Sequence, residues 1–229
     1  MNIVHFLTKP QPHDIVKKKL NNVHFKDKDS PKPMAGLQKA KREEAARKLL
    51  AAAVTSVEEG GIDALHAREL ARRSGYSVGS VYKYYADLDA LIAAVNTITL
   101  GQIGEAVQTA IVGEDDPMAR LKALAHAYMR FASENQNLWK ALFGHRLPEG
   151  REIPQEHRDA NIALLSLIGQ ALQQINPQLT EDTLQARTRT CFAAVHGVVT
   201  IALERRFVGL SGEQLISEMD FLVERLAGQ

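Results

Sequence analysis

Between Leu65 and Val95 the chain reads LHARELARRSGYSVGSVYKYYADLDALIAAV. That spacing predicts a short helix over Ala67 to Arg73, a tight turn at Ser74-Gly75-Tyr76, a second short helix, and then a long apolar-periodic one. It is the layout of a helix-turn-helix, and it fixes which side chains can reach a groove of DNA. Leu70 and Ala71 point inward, while Arg68, Arg72 and Arg73 point outward. Gly75 stands where the chain must reverse sharply, in a left-handed conformation that costs glycine nothing. Ser77 is a fitting N-cap for the second helix, since its hydroxyl can accept from a backbone N–H otherwise left without a partner. Val78 and Val81 are then expected in the core, leaving Ser80, Tyr82, Lys83 and Tyr84 free for a partner.

Charge is distributed unevenly. Residues 1–33 hold seven Lys/Arg against three Asp/Glu, residues 34–85 nine against six, and residues 86–229 twelve against eighteen. The formal net charge of +1 therefore hides a basic first part and an acidic second. The basic part coincides with the motif, as an electrostatic footprint for phosphate should. The residues alone leave a second reading open, a helical protein-interaction module that does not bind DNA specifically.

The run LARRSGYSVGSVYKYYADLDAL resembles the N-terminal signature of TetR/AcrR-type transcriptional regulators, roughly I-A-x-x-x-G-V-S-x-G-x-L-Y-x-Y-F-x-x-K-x-x-L. Leu70-Ala71, Gly75-Tyr76-Ser77, Gly79, Val81-Tyr82, Tyr84-Tyr85 and Leu91 fill the matching positions. One position departs: Leu88, between Asp87 and Asp89, stands where the family usually has a lysine that meets a DNA phosphate. The helix N-terminus there can still offer backbone N–H groups. The resemblance implies an all-α, nine-helix architecture, with a helix-turn-helix domain at 34–86 and a helical regulatory and dimerisation domain at 87–229. It places Arg68 and the segment from Ser77 to Tyr84 against an operator in double-stranded DNA. Ser80 and Lys83 are expected at base edges, Tyr82 and Tyr84 at phosphate oxygens, and Arg68 in either role. Ser77 and Gly79 complete the contact segment, with Lys39, Lys41 and Arg42 adding non-specific attraction.

The remaining chain supports that architecture. At 229 residues and 45% apolar content it can bury a substantial core. The first helix is expected from Leu37 to Glu59, its face Ala46, Leu49, Leu50, Ala53, Val54 and Val57, ended by Gly60-Gly61 in a left-handed cap. A fourth helix capped by Asp87 stays apolar for more than six turns, too long for the small unit and suited to join it to a second. Pro117 opens the fifth helix, and Thr180-Glu181-Asp182-Thr183 reads as the cap of the eighth. No apolar run approaches the roughly 18–20 residues of a membrane helix, and none fits a signal-peptide core, so a cytoplasmic location without membrane attachment is expected. Residues 1–33, rich in Lys and Pro, read as a mobile basic extension, and Met34 begins a run that looks like a natural family start.

The eighth and ninth helices are apolar over more of their circumference than one core face needs; Val198 and Ile201 lie away from Val195 and Ala202. Burial of the second side calls for a homodimer through these two helices, or for complete enclosure within one chain. Family members resemble this in dimerising through their last two helices. Phe192-Ala193-Ala194-Val195-His196-Gly197 is similar to a subgroup in which Trp precedes His-Gly, with Phe192 here in the Trp position. Gly197 is expected to admit a neighbouring helix closely, and His196 to bond a buried group on it.

The resemblance also implies an input, a small and largely apolar effector held in the second domain. Tyr128, Phe131, Trp139, Phe143, His145, Phe192 and His196 are the candidates, aromatic walls with a few polar tips. No cofactor, metal site or catalytic group is expected. The eight histidines are scattered without an HExxH pair, Cys191 stands alone, and there is no G-x-S-x-G or phosphate-cradling loop after a strand.

Overall fold

The computed structural model describes residues 33–204 and 209–228. The basic extension expected before Pro33 lies outside the described residues. Every regular element among those described is helical: α1 (Pro33–Gly60), a 3-10 turn (Ile62–Ala64), α2 (Ala67–Ser74), α3 (Val78–Tyr84), α4 (Leu88–Ala110), α5 (Pro117–Glu134), α6 (Gln136–Gly144), α7 (Gln155–Ile175), α8 (Glu181–Leu203) and α9 (Gly212–Ala227). Among the described residues the all-α, nine-helix architecture read from the sequence is the one observed.

Helix ends follow side-chain chemistry. Asp87, Asp116 and Thr180 each accept a backbone N–H three residues on, from Ala90, Ala119 and Thr183, which satisfies a donor that the first turn cannot pair internally. α1 begins at Pro33, four residues before the expected start; the fixed φ of proline suits a first helical turn. Its end also differs in detail from expectation. Gly61 has φ +73 but an extended ψ of −172, a region open essentially to glycine and distinct from a left-handed cap.

Two cores result. The first gathers the predicted face of α1 around Leu70, Val81 and Tyr85, with Leu91, Ile92, Val95 and Ile98 from α4. The second surrounds α5 and takes in α4 beyond Leu100, with parts of α7, α8 and α9. α6 serves both: Leu138 and Ala141 belong to the first core, Trp139 and Leu142 to the second. Two amides fasten this junction, Asn137 donating to the Glu58 carbonyl (2.9 Å) and Asn96 to the Ala141 carbonyl (3.3 Å).

Three expectations need correcting. Leu88–Ala110 is long and apolar enough, by length and composition, to cross a membrane, yet more than half of it is buried inside the protein. It is the shared central helix of two cores, and burial on several sides explains its apolar circumference. Within one chain Gly197 meets no neighbour, for none of the described residues lies within 4 Å of where its Cβ would stand. The close approach of α7 to α8 falls at Gly169 instead, whose Cβ would meet Thr188 Oγ1 at 3.3 Å. Finally, Val78 is 39% exposed. On so short a helix the i, i+4 pair Val81 and Tyr85 fills the buried side, and Val78 sits in the first turn, beyond that contact.

Candidate nucleic-acid interface and ligand cavity

α2 and α3 form a rigid corner. Gly75 adopts φ +75, ψ 16, and its N–H and that of Tyr76 both close on the Ala71 carbonyl, so the chain turns within the few residues expected. Ser77 Oγ accepts from Ser80 N–H (3.2 Å) and shares a proton with Ser80 Oγ (3.0 Å). Tyr85 donates to the Ala46 carbonyl (3.1 Å), pinning the end of α3 to α1. These contacts hold α3 while leaving its outer side open: Tyr82 is 51% exposed, and Ser77, Gly79 and Lys83 are exposed beside it. Tyr84 is half-buried against the first core, and Lys83 Nζ stands 5.7 Å from the centre of its ring. Ser80, half-buried and bonded to Ser77, is less free than the sequence suggested.

The three arginines of α2 are not equivalent. Glu69 accepts from Arg72 and Arg73, and Arg73 also reaches Glu59 (2.6 Å). Hydrogen bonds from Arg72 and Arg73 draw the Glu69 carboxyl down to about 2. Arg68 is exposed and has no ion pair among the described residues, which leaves its charge available to an external anion. Lys39 and Lys41 are likewise exposed, on the first turns of α1.

The start of α4 carries an arrangement that the sequence did not announce. Arg151, from the loop between α6 and α7, donates to both carboxylate oxygens of Asp87, one bond measuring 2.6 Å. That bidentate contact, then the Ala90 N–H, holds the Asp87 carboxyl well below the usual range. His145 Nε2 lies 3.3 Å from Asp89 Oδ1, at ion-pair distance but off a hydrogen-bonding alignment. Nothing in local spacing links residues 87 and 151, sixty-four positions apart.

The second core holds a cavity of about 110 Å³ between α4, α5, α6, α7, α8 and α9. Its wall is mostly aliphatic, from Leu100, Ile103, Leu121, Leu124, Leu164, Ile168, Val195 and Val223 among others, and none of the described residues that line it is charged. Of the seven residues proposed from sequence, Tyr128, Phe143 and Phe192 line it. Trp139 and His196 stack on each other behind that wall, with ring centres 5.1 Å apart. Phe131 is buried in the surrounding core, and His145 is turned toward Asp89. The aliphatic lining gave no signal in the sequence, because such residues at helical spacing look the same whether they meet a neighbour or a void.

Tyr128 connects cavity and cluster. Trp139 Nε1 donates to its oxygen (3.1 Å), and His196 Nδ1 lies 2.7 Å away. An indole N–H only donates, so the phenol accepts from Trp139, while the tautomer of His196 sets which partner donates in the second bond. Burial raises the Tyr128 pKa and lowers that of His196, so that the phenol keeps its proton and the imidazole stays neutral. Burial also pushes the Cys191 thiol up, leaving it protonated at the cavity wall. No group of metal-ligating side chains occurs among the described residues.

Known proteins share this arrangement. Residues 49–95 match the family described as bacterial regulatory proteins, tetR family, and residues 121–226 match the tetracyclin repressor-like C-terminal domain. The HTH-type transcriptional regulator BetI of Yersinia pestis (strain Pestoides F) is 26% identical over 164 residues, 69% of this chain and 72% of that protein. A Rhodococcus sp. RHA1 protein of unknown function superimposes with a TM-score of 0.66 at 26% identity, covering 81% of this chain and 96% of its own. The transcriptional regulator FadR from Bacillus subtilis, solved in complex with stearoyl-CoA, gives a TM-score of 0.60 at 16% identity, covering 80% of this chain and 98% of its own. The N-terminal match spans the α2–α3 corner and the C-terminal match spans most of the cavity wall. The chain thus belongs to the TetR family of helix-turn-helix, DNA-binding transcriptional regulators.

Proposed function

We propose that the protein is a homodimeric cytoplasmic repressor that leaves its operator when a small, largely apolar molecule enters the cavity of the second core. Residues 34–86 act as the DNA-reading unit and residues 87–229 as the regulatory and dimerising one. The observation that carries this reading is the pairing of two surfaces on one rigid frame. The outer side of α3 is polar and open, and an apolar cavity lies at the far end of α4, the helix common to both cores.

Lys83 and Ser80 meet base edges, Tyr82 and Tyr84 meet phosphate oxygens, and Arg68 serves beside them. Two copies pair through α8 and α9, which is supported by exposed apolar side chains: Ile201 on α8, and Ile216 and Phe221 on α9, the last 52% exposed. Such residues gain by burial against a second copy. Ordinary helix-turn-helix dimers read half-sites about one turn apart, ~34–36 Å, or multiples of that. The occupant of the cavity is uncharged where it touches the wall, since no side chain there could balance a charge. The stearoyl-CoA held by the Bacillus subtilis neighbour supports an apolar occupant in this fold.

Binding to the duplex upstream of the protein's own gene, measured across a salt series against a scrambled duplex, tests the reading. Preferential binding that falls steeply with salt is expected, through release of counterions from the phosphates. Tyr82→Ala with Lys83→Ala should abolish the preference while sedimentation still shows a dimer. Unchanged operator affinity in that variant would refute the assignment of α3.

A further inference from the structure

The loop from His145 to Pro154 touches the start of α4 and is joined on both sides to segments that reach the cavity. On its two sides in sequence stand Phe143 and Asn161, which line the cavity. Within it, Arg151 clasps Asp87 and His145 stands against Asp89. Arg151 is aimed by a built turn: its N–H closes on the Pro148 carbonyl (3.1 Å), and Gly150 takes φ +80, the positive value a type II turn requires at its third position. A third contact continues the seam along α4, Thr97 Oγ1 lying 3.4 Å from His157 Nδ1.

Asp87 is also close to the C-terminal end of α3. Three Cα–Cα steps separate it from Tyr84, which limits their separation to about 11 Å. That is comparable with the Debye length near physiological salt, about 8–10 Å. Two free carboxylates at this place would repel a DNA backbone lying along α3. A bidentate guanidinium cancels the nearer one, in a contact whose two partners are both about one-third exposed and so within reach of solvent and phosphate.

We infer that Arg151 is a positioning residue for DNA binding and that its loop is an electrostatic latch between cavity and operator. With the cavity empty, Arg151 neutralises Asp87 and the start of α4 tolerates a phosphate. An occupant that displaces Phe143 or Asn161 draws the loop from α4, unmasks Asp87 and weakens the grip on DNA. This rests on the proposed function, and adds a route from cavity to DNA that runs outside α4.

A duplex is first recovered from a random pool by selection on the wild-type protein; failure to enrich any sequence overturns the DNA reading itself and the latch with it. On the recovered duplex, Arg151→Gln should weaken binding about two-fold or more, the order expected for one uncompensated charge about 11 Å away in water. The loss should shrink as salt is raised. Asp87→Asn, which keeps a good N-cap, should bind at least as well as wild type, and the double variant should return to wild-type affinity. An Arg151→Gln protein that binds normally, or a double variant as weak as Arg151→Gln alone, overturns the latch. To test the cavity end, Val195→Phe places a fixed side chain in the void. It should weaken binding in the wild-type background and leave the Asp87→Asn, Arg151→Gln background unaffected. Equal weakening in both backgrounds assigns the signal to α4 alone and overturns the route through the loop.

Discussion

The two cores draw on the same kinds of residue and fill space differently. Around α1, Leu49, Ala53, Val57, Leu70, Leu91 and Val95 are completely enclosed, and the short helices α2 and α3 close over them. Around α5, five long helices converge on side chains of similar type, and a cavity of about 110 Å³ remains between them. A close-packed unit holds a reading surface in one geometry, which a base-edge contact demands. A unit with an internal void has somewhere to put a ligand, at the expense of the contacts its lining side chains do not make. The contrast divides the labour, with rigidity where geometry is read and looseness where chemistry is sensed. Among the described residues only α4 and α6 contribute to both cores, which makes them, with the loop that follows α6, the connections between the two ends.

The sharpest test of this contrast removes equal volume from each core. Leu70→Ala, in the closed core, should lower unfolding free energy by about 2–5 kcal/mol, as enclosed leucines do. Leu124→Ala, on the cavity wall, should cost at least about 1 kcal/mol less, since one side of that leucine already faces space. Urea unfolding of both variants decides it, and equal losses would mean that the second core is as tightly filled as the first.

Adding volume should reverse the sign. Val54→Leu forces a methylene into a full core and should destabilise by about 1–3 kcal/mol. Val195→Leu extends into the void and should stabilise by about 0.8 kcal/mol, the value of one buried methylene. Thermal midpoints that fall for both would break the comparison.

The smallest expected effect is a pH dependence from two half-buried histidines. The pKa values of His157 and His196 are lowered by burial in the folded chain. Between the lowered value and the unfolded one near 6.5, the unfolded chain holds protons that the folded chain does not. Stability contributed by these residues is therefore present above that unfolded value and declines as pH falls through it. Substituting His196→Gln should flatten part of that decline in unfolding curves taken from pH 7.5 to 5. A decline that persists unaltered would place the whole effect on other groups.

Much of the reading end was legible because its determinants are local. Gly75, Ser77, the apolar face of α1 and the buried Leu70 and Val81 each follow from spacing, capping or backbone sterics within a few residues. Val78 was misplaced because periodicity reports which side of a helix faces inward, not how far a neighbouring helix extends over it. At the cavity end the aromatic residues were found and the aliphatic wall was not. His196 was expected to bond a buried group, which the structure identifies as Tyr128, but within one chain the glycine beside it meets none of the described residues.

From sequence alone came nine helices, their caps, a basic face on a helix-turn-helix and the family resemblance, all of them fixed by forces that act between near neighbours. Tertiary structure decided what lies between helices: which glycine another helix approaches, where packing leaves a void, and that Arg151 rests on Asp87. Those outcomes depend on how side-chain volumes from distant segments fit in three dimensions. An aliphatic residue at helical spacing carries the same sequence signal whether it meets another residue or empty space.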